Sequence, residues 1–306
     1  IYIILCFLCA CSSHPSGEVG LKTYADSING YEAREYIKEE YSIKLPYRFY
    51  TPSTRKGELY PLVIFMHGAG KGQGTDNKSQ LLHGSQLFVK PEIQEKYPCY
   101  VVAPQCPKEV WWVNVKNPPG IPPEIDEQIK QETGKKTFRI KARKLMNNPD
   151  LYFPLDINNI TEPLQMASDL IDDIIQNYPI DPERVYITGG SMGGLATWCL
   201  AFMNPERPAA IAPISCPSDP ENAAILKNIP IWMFHGDQDD YFPVKCARDM
   251  YKSLVDAGNS RAKYTEVAGV AHGLSPKAYK LDEDGDGIAD IATWLFSHRK
   301  DMGNNK

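Results

Sequence analysis

Along most of the chain, short and nearly continuous apolar runs alternate with longer stretches of helical periodicity. The runs PLVIFMHG (61–68), CYVVAP (99–104), RVYITG (184–189), AAIAPIS (209–215), IPIWMFHG (229–236) and AKYTEVAG (262–269) are rich in Val, Ile, Tyr and Phe. Little polar alternation interrupts them, as expected of strands buried on both faces. Between them, TEPLQMASDLIDDIIQNY (161–178) places Leu164, Ala167, Leu170, Ile171, Ile174, Ile175 and Tyr178 at helical spacing. Thr161 stands as its N-cap and Pro163 in its first turn. The alternation predicts an α/β fold, a mostly parallel central sheet with helices on both faces. A first strand pair is expected around YSIKLPYRFYTP (41–52), preceded by a polar spacer over 12–40.

One stretch breaks the rhythm. Residues 113–159 contain paired prolines, NPPGIPPEID, followed by the basic run KQETGKKTFRIKARKLMNN. A structureless loop of that length is unusual inside a domain, so a small helical insertion is expected, placed as a lid over the sheet. The rest of 41–300 reads as one catalytic domain, a size consistent with 306 residues of which 42% are hydrophobic.

A net charge of −5 with no long basic run gives no surface for neutralising phosphates, so nucleic acid is not expected as a partner. The opening IYIILCFLCA is too short for a membrane-spanning helix and has the length of a signal-peptide core. Leu8-Cys9-Ala10-Cys11 resembles a bacterial lipobox, and the missing Met and basic n-region imply a truncated start. Residues 1–11 are therefore expected to be an export signal. The mature chain would be anchored by lipid at Cys11 to the cell envelope, periplasmic or at the surface, or else secreted after ordinary signal cleavage. Of eight cysteines, Cys99, Cys106, Cys199, Cys216 and Cys246 remain for the body, an odd number. An extended strand holds Cys99 and Cys106 apart, and Cys216 with Cys246 is a conceivable pairing. No Cys/His pairs stand at zinc-ligand spacing, and no cofactor is expected for catalysis.

The densest chemical signal is RVYITGGSMGG running into LATWCLAF. Gly189-Gly190-Ser191-Met192-Gly193 between a predicted strand and a predicted helix is the nucleophile elbow of the α/β-hydrolase fold, whose tight turn lifts a serine clear of the sheet. That turn sets Ser191 at a helix N-terminus, where free N–H groups and the dipole favour a developing oxyanion. A serine hydroxyl needs a base, and the fold's chain order of Ser, acid, His leaves His235, His272 and His298. His298 lies in the solvated SHRK. His235 ends a strand and is expected to support the acid loop. His272, in the small-residue loop VAGVAHG after the last strand, is the expected base. For the acid, HGDQDDYFPV offers Asp237, Asp239 and Asp240 beyond a strand end, and physics alone does not separate them.

Together PLVIFMHGAG, VVAPQCP with Trp111-Trp112, YPIDPERVYITGGSMGG, HGDQDDYFPV and AHG resemble the bacterial α/β-hydrolases of the peptidase-like and phospholipase/carboxylesterase-like group. That group is close to feruloyl, acetyl-xylan and polyhydroxybutyrate-type esterases and more distant from dienelactone hydrolases. The resemblance covers roughly 42–275. It implies that the second aspartate of HGDxD is the acid, Asp239, with Asp237 shaping the turn. It also implies an oxyanion hole from the backbone N–H groups of Ala69 and Met192, with His67 bracing the loop. Activity on carboxylic esters is expected from it, with small-molecule or oligosaccharide esters as substrates, including acyl or feruloyl esters of plant polysaccharide fragments. A serine peptidase is the alternative of the same chemistry, and a non-catalytic glycan-binding lipoprotein the alternative of another class.

Trp111 and Trp112 follow the strand CYVVAP where a crevice wall is expected, and Tyr241 adjoins the acid loop; all three are candidate substrate-binding residues. Beyond His272, LDEDGDGIAD places Asp282, Asp284, Asp286 and Asp290 at alternating positions of a calcium loop spanning 282–293, with the Ile288 carbonyl as a further ligand. Thr293 stands where a bidentate glutamate would be, so a weak structural Ca²⁺ is the expectation.

Overall fold

The computed structural model describes residues 22–108, 110–114, 155–282, 285 and 290–300. The export segment, nearly all of the expected lid, and Asp284, Asp286 and Ile288 of the expected calcium loop lie outside the described residues. So do residues 12–21.

The six apolar runs all form strands: β4 (Tyr60–Met66), β5 (Tyr100–Pro104), β6 (Ile180–Gly190), β7 (Ala210–Ile214), β8 (Ile231–Gly236) and β9 (Ala262–Val267). They are parallel to one another. Three antiparallel strands, β1 (Lys22–Ile28), β2 (Tyr31–Tyr36) and β3 (Leu45–Tyr50), extend the sheet beyond β5. Among the described residues the order is β1-β2-β3-β5-β4-β6-β7-β8-β9.

Two expectations change here. Residues 22–36, read as spacer, are strands β1 and β2. The segment 41–52 holds one strand, β3, paired with β2 and β5 rather than with a neighbour of its own. The β1–β2 turn is Asn29-Gly30, with φ of 51° and 82°, the pair of positive values that a tight hairpin turn needs and Asn-Gly supplies at low cost. The hairpin is fixed by Tyr31, Ala33 and Tyr36 of β2, all buried, and by the guanidinium of fully buried Arg48, which reaches back to it. Arg48 donates to the Asp26 and Tyr31 carbonyls and pairs with Asp26 Oδ2 at 2.9 Å.

The sheet is covered on both faces, as its continuous apolar strands require. On one face Leu62, Ile64, Met66, Ile187 and Met233 pack under α2 (Glu162–Asn177), α3 (Met192–Met203) and α4 (Val244–Asp256). On the other, Val63, Phe65, Tyr186, Ile214 and Phe234 meet α1 (Pro91–Lys96), α5 (Ser275–Ala278), α6 (Asp290–Phe296) and the 3₁₀ segment Ser79–Val89. Strand side chains alternate between faces, so one run of apolar residues feeds two cores. Helix α2 is the one read from periodicity, and Thr161 caps it by accepting from the Leu164 N–H. The pairing of Cys216 with Cys246 does not form: Cys99, Cys106, Cys199, Cys216 and Cys246 are all free and buried. Among the described residues no helix is long and apolar enough to cross a membrane.

Candidate active site

Strand β6 ends at Gly190 and α3 starts at Met192, so Ser191 is the whole of the turn between them. Its φ of 57° and ψ of −121° are unusual for a residue with a side chain. The strain is held from both sides: the Ser191 N–H donates to the Ile214 carbonyl at 2.8 Å, and Gly193 lies hard against the backbone of β4. With its own N–H tied to β7, Ser191 leaves the first free amides of α3, beginning with Met192, at the foot of the nucleophile.

His272 lies in the loop between β9 and α5. Its Nδ1 is 2.9 Å from Asp239 Oδ2 and 3.1 Å from Oδ1, and its Nε2 is 2.8 Å from Ser191 Oγ. A carboxylate only accepts, so Nδ1 carries the proton and Nε2 is left to accept from the serine hydroxyl. The imidazole contacts the rings of Tyr241 and Phe242, with centroids 4.6 Å and 5.4 Å away.

Asp239 follows the end of β8 and is buried. Its Oδ1 accepts from the Tyr241 and Phe242 N–H groups, both at 2.9 Å. Burial alone would raise its pKa, but the contacts from His235 and His272, the imidazole's charge and the Phe242 N–H outweigh it and hold the carboxyl well below the usual range. Asp239 therefore stays ionised where a histidine base works. Asp237 does not join it. Its carboxylate accepts from the Gly269 N–H at 2.7 Å and pins the loop that carries His272, the turn-shaping task expected of it.

The loop after β4 faces the elbow from the other side. A side chain at Gly68 would stand 3.2 Å from the Gly190 carbonyl oxygen and 3.6 Å from the Ser191 Cβ, so Gly68, the residue before Ala69, lies against the elbow. His67 braces this loop from behind. Its Nε2 accepts from the Cys106 N–H at 2.9 Å, so Nδ1–H donates to the Gly68 carbonyl at 2.8 Å. Burial lowers its pKa to about 4, which keeps the ring neutral and the tautomer fixed. Gln73 adds a second brace, accepting from Gly70 N–H and donating to the Pro107 carbonyl.

Trp112 belongs to this bracing and not to a crevice wall, which corrects the expectation for it. It is fully buried, donates its indole N–H to the His67 carbonyl at 3.2 Å, and tilts against the His67 ring at 5.3 Å. An aromatic pair next to a buried histidine is better used as packing than left open to solvent. Trp111 is half-buried against the same core, and Tyr241 is half-buried over His272. Sequence reading missed Gln73, the backbone of Cys106 and Gln105, which donates to the Gly72 carbonyl at 3.2 Å and accepts from the Asn77 N–H at 2.7 Å, because a single loop glutamine carries no periodic signal. Of the calcium candidates, Asp282 and Asp290 are described, and the Asp290 N–H donates to the Leu281 carbonyl where α6 begins.

The sheet order and the helices covering both its faces are those of the α/β-hydrolase fold. Residues 151–280 match the model of the phospholipase/carboxylesterase family. A bifunctional acetylxylan esterase/xylanase of Neocallimastix patriciarum is 36% identical over 96 residues, 31% of this chain and 14% of that protein. The acyl-protein thioesterase 1 homolog 2 of Dictyostelium discoideum is 27% identical over 126 residues, 38% of this chain and 54% of that protein. A thermostable esterase of known structure superposes with a TM-score of 0.70 at 29% identity, over 89% of this chain and 64% of the esterase. The chain thus spans about half or less of the length of these two curated relatives.

Proposed function

We propose that the protein is a carboxylic-ester hydrolase working through an acyl-enzyme at Ser191. The observation that carries this reading is the relay in which His272 Nε2 stands 2.8 Å from Ser191 Oγ while Nδ1 stands 2.9 Å from Asp239 Oδ2. Ser191 Oγ attacks the ester carbonyl as His272 takes its proton, and the tetrahedral oxyanion is met by the N–H groups of Ala69 and Met192. Collapse expels the alcohol, which receives that proton from His272. Water, activated by the same imidazole, then releases the acid and restores the serine. Asp239 holds the Nδ1–H tautomer and stabilises the imidazolium without itself taking the proton.

Esters of acyl or feruloyl groups on plant polysaccharide fragments are the substrate class we propose. Similarity to an acetylxylan esterase supports it, and the half-buried Tyr241 offers aromatic surface against His272. The test is a panel running from p-nitrophenyl acetate to methyl ferulate and acetylated xylan, with wild type and Ser191→Ala compared. Turnover that disappears in the variant supports the hydrolase, and the preferred ester names the substrate class. A folded wild type with no turnover on any ester refutes it.

A further inference from the structure

Asp239 is met by a second histidine from the side away from solvent. His235, the penultimate residue of β8, is fully buried, and its Nε2 is 2.9 Å from the Phe242 carbonyl and 3.3 Å from Asp239 Oδ2. Both neighbours are acceptors, so Nε2 carries the hydrogen and shares it between them. The opposite ring nitrogen, Nδ1, is buried without a hydrogen-bond partner among the described residues. Such an arrangement costs stability, and a plain apolar side chain at this position would avoid the cost. The two acceptors are the two ends of one short loop: Asp239 supplies the carboxylate, and Phe242 packs its ring against His272.

We propose that His235 is a positioning residue for the reaction described above, its Nε2–H tying Asp239 Oδ2 to the Phe242 carbonyl. The carboxylate is thereby locked in the rotamer that meets His272 Nδ1. Every contact of the carboxylate then has a distinct task. The Tyr241 and Phe242 amides hold Oδ1, His235 steadies Oδ2 from within, and His272 takes the remaining direction. The inference rests on the proposed esterase reading for its kinetic consequences, but not for the contact itself.

Other titratable groups near this pair do not replace the histidine. Cys216, just past β7, and Cys246 on α4 are thiols that burial keeps protonated, Cys246 with a pKa pushed up to about 12. Glu266 on β9 is engaged by Arg248 of α4 at 2.6 and 2.8 Å, and Asp237 by the Gly269 amide. Ser191 and Tyr241 complete the surroundings of His272.

The test uses the full chain and three variants. His235→Gln can present an amide N–H where Nε2 stands, His235→Asn is too short to reach it, and His235→Phe keeps a ring without a donor. Steady-state kinetics on p-nitrophenyl acetate and the low-field proton NMR signal of the His272 Nδ1–H, which reports its hydrogen bond to Asp239, are read on each. His235→Asn and His235→Phe are expected to lower kcat by about tenfold with KM held within about twofold. They are also expected to shift that signal upfield, since the carboxylate is no longer held toward Nδ1. His235→Gln is expected to recover most of both. If His235→Phe does not fold, the Gln and Asn pair carries the same comparison. An unchanged Nδ1–H signal in folded His235→Asn or His235→Phe, or an equal loss in His235→Gln and His235→Asn, overturns the proposal. Should wild type hydrolyse no ester, the Nδ1–H signal still decides the role of His235, while the missing turnover counts against the esterase reading alone.

Discussion

Replacing Gly193 by alanine asks whether the elbow is as tightly seated as its geometry requires. A Cβ at Gly193 would stand 1.9 Å from the Met66 carbonyl oxygen, 2.5 Å from the Met66 carbonyl carbon and 2.8 Å from the His67 carbonyl oxygen. Ordinary contact begins at 3.4 Å, so α3 and the end of β4 would have to part by about 1.5 Å. Neither side yields easily, because the obstacles are backbone and β4 is paired to β6 through Met66 and Gly189. Overpacking of this kind costs about 2–3 kcal/mol, which lowers Tm by roughly 3–5 °C for a chain of this size. The same displacement moves Ser191 relative to His272, and a misplacement of about 1 Å costs about 100-fold in kcat. Thermal unfolding and p-nitrophenyl acetate hydrolysis read the two effects on one preparation. Gly273→Ala, next to His272 but with nothing within 4 Å of its Cβ, is the control and should stay within about 0.5 kcal/mol. A Gly193→Ala enzyme with unchanged Tm and kcat would refute the close approach, and an equal loss in Gly273→Ala would show that the effect is not steric.

Further predictions follow from the supports of the site. Trp112→Phe keeps the ring but removes the N–H donated to the His67 carbonyl, so stability should fall by about 1–2 kcal/mol and kcat more than KM, as read by denaturant titration and kinetics. Thr161→Ala loses both the cap of α2 and the bond to the Trp112 carbonyl at 2.6 Å; about 1–2 kcal/mol is expected to go, measured the same way. His67 has an ordinary pKa of 6.5 that burial lowers to about 4. Between these values the unfolded chain binds a proton that the folded chain does not. This stability is therefore complete above about pH 6.5 and is lost as pH falls toward 4, by about 3 kcal/mol. Unfolding free energies across that window should slope less in His67→Gln than in wild type. Millimolar Ca²⁺ should raise Tm relative to EDTA if the 282–293 loop holds a cation, and an unchanged Tm would dismiss that expectation.

The parallel half of the sheet was legible because burial on both faces writes itself as unbroken apolar runs, and the helix of 161–178 because one face is buried and the other wet. The antiparallel edge was not, since the buried Tyr31, Ala33 and Tyr36 of β2 are interleaved with charged residues in a sequence, YEAREY, without a continuous apolar run, and Arg48 supplies part of the hold on the hairpin. Asn29-Gly30 was the one local signal that marked their turn. The relay was legible because Gly-x-Ser-x-Gly between a strand and a helix fixes the chain order of the other two members. Asp239 could be separated from Asp237 and Asp240 only by resemblance. The structure gives the physical reason: Asp237 is spent on the Gly269 amide while Asp239 points inward to His272. Trp112 was misplaced because two adjacent tryptophans after a strand look alike in sequence, and only the contact with His67 tells the buried one from the half-buried one.

Mass spectrometry after reaction with a fluorophosphonate tests the central claim most directly. One adduct on the peptide carrying Ser191 is predicted for wild type, slowed strongly in His272→Ala and absent in Ser191→Ala. Labelling of another residue, or none on a folded wild type, would contradict the assignment of Ser191 as the activated nucleophile.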